Sequence, residues 1–364
     1  MAVVPVASKQ VGVRWNPRRY LGSTWRHPIA RAFLKAGLTI WVTTTLTFFL
    51  IRLMPGSPVE LKIDELIQTS NGALTYEDAR AIASGLFAIN LNAPLHEQYL
   101  SFAWNLLHLD LGNSFLSSGT SVTSIILAVL PWTLFSVGTG LLLSFVVGIA
   151  LGLLAAYRRN SVLDRVVSTG GSLISSIPNY LTALLVILFL GVQTHIINFT
   201  SMRGAYSSGI QPGLTPAFIG DIFYHASLPI SIYFLTQIGH WILSMRSATL
   251  SALEEDYVTA ARARGLTDGR IRTAYVGRNA VLPLVTQLAI SVGFVVGGAA
   301  VIEQLFAYQG VGLRLLASVT QRDYPVIQGI VMLTTIAVVV ANLAADLLYS
   351  KLDPRIGRAG GAAG

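Results

Sequence analysis

The sequence predicts an all-α integral membrane protein with six transmembrane helices and a helical extracytoplasmic insertion between the first and second. Three observations carry that expectation. Of 364 residues only 12% are charged and 53% are hydrophobic, whereas a water-surfaced domain carries about 25% charged residues. Apolar runs long enough to cross about 30 Å of hydrocarbon recur along the chain. The basic residues cluster where those runs end, and arginine greatly outnumbers the four lysines, Lys9, Lys35, Lys62 and Lys351.

Residues 1–32 form a basic extension containing Arg14, Arg18, Arg19, Arg26 and Arg31. No early small-residue cleavage site follows a short basic region, so the first apolar run is expected to be retained. That run, 33–53, carries Lys35 and Arg52 near its ends, where long side chains reach the headgroups. Residues 54–120 combine a "PGSP" turn with amphipathic pieces, "TYEDARAIASGLF" and "LHEQYLSFAWNLLHL", that predict short helices lying on the outer face. Their aromatics Tyr76, Tyr99, Phe102 and Trp104 suit either ligand contact or packing.

Residues 121–353 hold the other predicted spans: 122–157, 166–192, 227–250, 282–306 and 326–349. Pro131 and Pro178 fall inside the second and third spans, and Pro229 and Pro283 near the starts of the fourth and fifth; each removes a backbone donor and kinks or starts a helix. Small residues in "GTGLLLSFVVGIALG" and "SVGFVVGGAA" predict close helix–helix approach. Residues 193–225 form a Gly-, Ser- and Pro-rich outer loop.

Arginine placement orients the bundle. With the N-terminus inside, the inner set includes Arg158, Arg159, Arg165, Arg246, Arg262, Arg264, Arg270, Arg272, Arg278 and Lys351, and the tail 354–364 is cytoplasmic too. The net charge of +8 is thereby absorbed at the membrane, and no nucleic-acid partner is expected. Without cysteine, disulfides, thiolate metal sites and thiol catalysis are excluded. The histidines show no pair at the four-residue spacing of a helical zinc site.

Between the fourth and fifth spans lies "EEDYVTAARARGLTDGR". Glu254, Glu255 and Asp256 at a helix N-terminus with Arg262 and Arg264 at its end is the order the helix dipole favours. Gly265 ends that helix in a left-handed conformation with Leu266 folding back on Ala261, and Thr267 caps a second short helix. Ala260 and Ala261 offer a nearly bare surface for a partner's groove.

This segment resembles the cytoplasmic coupling motif of bacterial ABC importer permeases, whose pattern is Glu-Ala-Ala, three residues, Gly. Here the run is Thr259, Ala260, Ala261, then Arg262 to Arg264, then Gly265, with threonine in the glutamate position. "DYVTAARARGL" and "RNAVLP" look like the dipeptide/oligopeptide branch, first-permease type, and so do "FFLIRLMPGSP", "PLHEQY", "LDLGNSF", "GLLAAYRRNSVLDR", "SIPNY" and "RDYPVIQGIV" with "NLAADLLYSKLDPRI". The resemblance implies the type I permease fold in a bacterial inner membrane, both termini cytoplasmic. It also implies a second permease subunit, two ATPase subunits that bind ATP and Mg, and an extracytoplasmic solute-binding protein delivering di- or oligopeptides, oligosaccharides or nickel complexes. Asp256, Tyr257, Thr259, Ala260, Ala261, Arg262, Arg264 and Gly265 then couple to the ATPase, and Pro283 is the helix-start proline after the loop. No lysine follows a glycine, so a phosphate-binding loop and a cofactor in this chain are not expected.

Polar residues within the spans, Asn179, Gln237, His240, Asn342 and Asp346, serve interhelical hydrogen bonding or the path; Gln237 and Asn179 are the readings' pathway residues. Two other classes compete. An intramembrane serine protease would pair Ser172 of "GGSL" with His240. A passive channel would work without nucleotide.

Overall fold

The computed structural model describes residues 28–53, 58–70, 73–86, 93–117 and 119–352. The basic extension up to residue 27, most of the "PGSP" turn and the tail from 353 lie outside the described residues. The regular structure of the described residues is helical apart from one isolated bridge, Asn113 with Ser121.

Helix α1, Pro28–Arg52, is the first span. Between the first and second spans follow α2, Pro58–Thr69, α3, Tyr76–Leu86, and α4, Leu95–Leu107, so both amphipathic pieces form helices. Tyr99 and Phe102 of α4 pack on Phe48 of α1, ring centroids 5.3 and 5.1 Å away, which assigns these two aromatics to packing. Arg52 lies 3.6 Å above the Phe48 ring and donates from Nε to Gln98 at 2.9 Å, so it is held by α4. Farther along, buried Asp323 accepts from Ser114 Oγ at 2.5 Å and from the Phe115 N–H at 3.0 Å, pinning the inserted segment to the start of the last span.

The second span is α5, Val122–Tyr157, started by Ser121, whose side chain accepts from the Ser124 N–H. Helix α8, Pro216–Leu253, begins earlier than its sequence pattern suggested because Thr215 caps it and Pro216 takes the first turn; Pro229 therefore lies inside it. A β-carbon at Gly140 would stand 2.5 Å from Tyr233 Cβ, one at Gly148 2.5 Å from Trp241 Cβ, and one at Gly152 2.8 Å from Met245 Cβ. The small residues of α5 thus form the seam on which α8 lies.

Two predicted spans are not single straight helices. The third divides into α6, Val162–Ser176, and α7, Asn179–Gln193, which meet at 97°. Pro178 cannot donate to a preceding turn, and Ile177 before it is extended at ψ 125°. The fifth span starts at Asp268 and ends at Val295 (α10), followed by α11, Ala300–Leu305. Pro283 lies in the interior of α10, so the helix-start role is corrected: the helix has already begun at Asp268. Thr267 does hold the N-cap position of the next helix, without a side-chain cap bond, but that helix does not stay short: Asp268–Arg270 runs through a π-helical stretch, Ile271–Gly277, directly into the span. Helix α12, Val311–Thr320, returns to α13, Tyr324–Leu352, the last span. Among the described residues five helices are long and apolar enough to cross a membrane, and the bent pair makes six.

Buried Glu303 explains the break after Val295. Its carboxylate accepts from Thr133 Oγ1 at 2.8 Å and from the Leu313 N–H at 2.9 Å, while Thr133 Oγ1 also accepts from the Val311 N–H at 2.8 Å. A carboxylate is thus seated at the N-terminus of α12, where the free N–H groups and dipole favour it. Gly298, at φ +72°, makes the turn that brings α11 there.

Candidate functional site

Two places gather the residues singled out by the sequence. The first is the turn between α8 and α10. Helix α9, Asp256–Ala263, follows Glu255, whose extended backbone sits at the N-cap without a side-chain cap bond, while Glu254 closes the end of α8. Gly265 adopts φ +73°; its N–H donates to the Arg262 carbonyl at 2.9 Å and the Leu266 N–H reaches the Ala261 carbonyl at 3.3 Å. That is the glycine-terminated end expected from the sequence, with the last carbonyls satisfied.

The two alanines part company. Ala261 is buried with Val258, Ala252, Ile271 and Val276 and docks α9 onto its own bundle. Ala260 is exposed, and around it Asp256, Thr259, Arg262, Arg264 and Gly265 are exposed as well, with Tyr257 half-buried. The bare surface is therefore Ala260 with Thr259 and Gly265, and Ala261 is its foundation. A hollow of about 360 Å³ opens beside it, lined among others by Tyr157, Arg159, Glu254, Arg262, Asp268 and Arg272. Arg272 stands 4.4 Å over the Tyr157 ring, which ties the start of α10 to the end of α5. An exposed helix carrying both charge signs beside a polar hollow can grip a partner; among the described residues there is no group of three His, Cys, Asp or Glu placed to hold a metal.

Sequence reasoning missed the brace above this turn. Arg246 of α8 donates from Nε to Asp164 Oδ1 at 2.6 Å and from Nη2 to Oδ2 at 3.0 Å. Asp164 is buried in the first turn of α6 and also accepts from the Asn160 N–H at 2.9 Å. A fork of two parallel bonds fixes direction as well as distance. The arginine was counted only as an orientation signal; its partner, 82 residues away, has no signature in the local pattern.

The second place is a cavity of about 340 Å³ among α5, α7, α8 and α10, lined by Asn179, Tyr233, Gln237, Ser291, Phe294 and Gly298 among others. Asn179 and Gln237, nominated separately, thus line one space. His240 lies elsewhere: the Gln287 amide donates to its Nε2 at 2.6 Å. Ser172 takes part instead through its carbonyl, which accepts from Ser176 at 2.7 Å. No bond joins Ser172 to His240 among the described residues, and the adjacent Gly171 packs against Gly239, so the "GGSL" run is a helix crossing and the protease dyad is not formed.

Fold and site together define a multi-pass membrane protein with an exposed helical elbow on one face and a polar cavity within the bundle. Residues 148–358 match the family described as binding-protein-dependent transport system inner membrane component, and the chain belongs to that family, as a permease. It is 34% identical over 91% of its length to a protein provisionally named a peptide permease from Brucella suis, covering 98% of that protein. It is 32% identical to the oligopeptide transport system permease protein AppB of Bacillus subtilis (86% of this chain, 93% of that one). Identity is also 32% to the nickel import system permease protein NikB of Staphylococcus aureus (87% and 88%).

Proposed function

We propose that this chain is one of two permease subunits of an ATP-driven importer of di- or oligopeptides. An extracytoplasmic binding protein delivers the peptide, the sister permease completes the path, and two ATPase subunits drive the cycle from the cytoplasm while this chain hydrolyses nothing. The observation that carries the reading is the elbow at Asp256–Ala263: Gly265 closes it, Ala261 seats it, and Thr259, Ala260, Arg262 and Arg264 face outward for a partner. Peptide as cargo is supported by the names of the relatives from Brucella suis and Bacillus subtilis.

In this topology residues 1–32, the elbow within 254–278 and the tail 354–364 are cytoplasmic, 54–120 face outward, and 121–353 form the permease domain of a bacterial inner-membrane protein. Asn179 and Gln237 present amides to the peptide backbone near mid-membrane, where each unpaired polar group is costly and a passing amide relieves it. Uptake of a labelled tripeptide by cells lacking the gene, with and without a plasmid copy, tests the reading. Restored uptake that also needs the neighbouring ATPase supports it; uptake indifferent to that ATPase makes the protein a passive channel. A nickel complex is the second reading, favoured by the likeness to NikB, and uptake of radioactive nickel in the same cells decides between them.

A further inference from the structure

A further cavity of about 460 Å³ lies between α1 and α13, with Phe294 of α10 at one end separating it from the Asn179–Gln237 cavity. Its walls include Lys35, Thr39 and Thr43 from α1 and Thr334, Thr335 and Asn342 from α13. At 1.5 Å per residue, Ala32 to Thr43 spans about 16 Å of α1, and Thr334 to Leu343 about 14 Å of α13. The hydrocarbon core is about 30 Å thick, so the groove is one leaflet deep. Its depth is placed by charge. Lys35, exposed near the start of α1, stands at one boundary of the core, and the groove runs from Ala32 past it only to Thr43.

The polar groups are not spread evenly along it. Lys35 and the Asn342 amide occupy the boundary end, both exposed and neither with a hydrogen-bond or ion-pair partner among the described residues. Toward mid-membrane the hydroxyls of Thr334 and Thr335 are spent on their own helix, on the Ile330 and Val331 carbonyls at 2.8 Å each, and the lining there is completed by Thr39, Thr43, Phe294 and Val338. A cation and an amide at the headgroup level above an apolar slot one acyl chain long match one occupant. We propose that this groove binds an anionic phospholipid of the inner leaflet, its phosphate on Lys35 and Asn342 and one acyl chain between α1 and α13. A lipid seated there joins the first span, which is otherwise mostly exposed, to the last. The site uses the topology of the proposed importer but not its transport, so lipid retention and peptide uptake can fail separately.

The test is native mass spectrometry of the full-length chain, with the subunits that copurify, released from nanodiscs of phosphatidylcholine doped with phosphatidylglycerol. The wild type should retain one phosphatidylglycerol per chain in preference to phosphatidylcholine. Lys35→Gln should weaken that preference about fivefold, the effect of one basic residue at an anionic surface. Thr39→Phe should fill the slot and release the lipid with the charge intact, and Arg158→Gln, a basic residue outside the groove, should change nothing. Equal retention of the two lipids, or equal loss in Lys35→Gln and Arg158→Gln, overturns the proposal. Because the chain has no cysteine of its own, Thr39→Cys supplies a single thiol. Its cross-linking to a copurified subunit would show that a protein helix fills the groove, which also overturns it.

Discussion

Gly265 offers a clean test of the elbow because its conformation and its surroundings make separate demands. Its φ is +73°, yet a β-carbon built there meets nothing within 4 Å. A substitution therefore strains the backbone without striking this chain. Holding an L-residue in that region costs roughly 1–2 kcal/mol, least for Asn, which visits it readily, and most for a β-branched side chain. Gly265→Ala at about 1 kcal/mol should weaken engagement of the motor about fivefold, and Gly265→Val at about 2 kcal/mol about thirtyfold. Gly265→Asn should stay nearest the wild type. The assay is ATPase activity stimulated by the binding protein and ligand in the reconstituted complex, with thermal unfolding of the permease alone as the control. Coupling should fall in the order Asn, Ala, Val while unfolding moves little, because the exposed turn relaxes in the free permease and the strain is met only on docking. If Asn proves worse than Ala, side-chain bulk against a partner governs the result and the strain reasoning is refuted; if Val matches the wild type, the turn does not couple.

Other outcomes follow from the packing. Gly148→Val forces a side chain into Trp241 and should destabilise the detergent-solubilised protein by about 1–3 kcal/mol, whereas Gly138→Ala, whose nearest neighbour would be 3.9 Å away, should not; melting curves compare them. Arg246→Ala strands the buried Asp164 carboxylate and should cost about 3 kcal/mol, part of it recovered in the double variant Asp164→Asn/Arg246→Gln, measured by the same curves. Glu303→Ala leaves the Leu313 N–H and the Thr133 hydroxyl without their acceptor, about 1–3 kcal/mol for each buried group, while Glu303→Gln keeps an acceptor oxygen and should lose less. Limited proteolysis between α11 and α12 reports the loosening.

The features legible in the sequence are those that depend on near neighbours. Span 122–157 coincides with α5 because Ser121 caps it locally and its apolar run is unbroken. The left-handed turn at Gly265 was legible for the same reason: glycine, the basic last turn and Leu266 lie within a few residues. Pro178 likewise marked the kink in the third span, though not its 97° angle, whereas the break in the fifth was not legible. "SVGFVVGGAAVIEQLF" is apolar enough to read as one helix, and what divides it is Glu303 finding Thr133, 170 residues earlier in the chain. Hydropathy weighs Glu303 as one charge in an oily run, whereas in three dimensions it is a satisfied acceptor at the start of another helix. Ala261 shows the same limit, since small size fits both an outward docking face and an inward packing position, and only the placement of Ile271 and Val276 decides between them.

The corner at Ile177–Pro178 has a mechanical consequence. Below it, the Asp164–Arg246 fork and the Gly171–Gly239 crossing clamp α6 to α8, so the two rods shift together. Above it, α7 leaves at 97° carrying Asn179. Two stiff arms set nearly square are a bell crank: thrust along one emerges as sideways sweep of the other. Were the proposed motor to push α6 along its axis, the far end of α7, toward Gln193, would sweep most and Asn179 at the corner would move with α6.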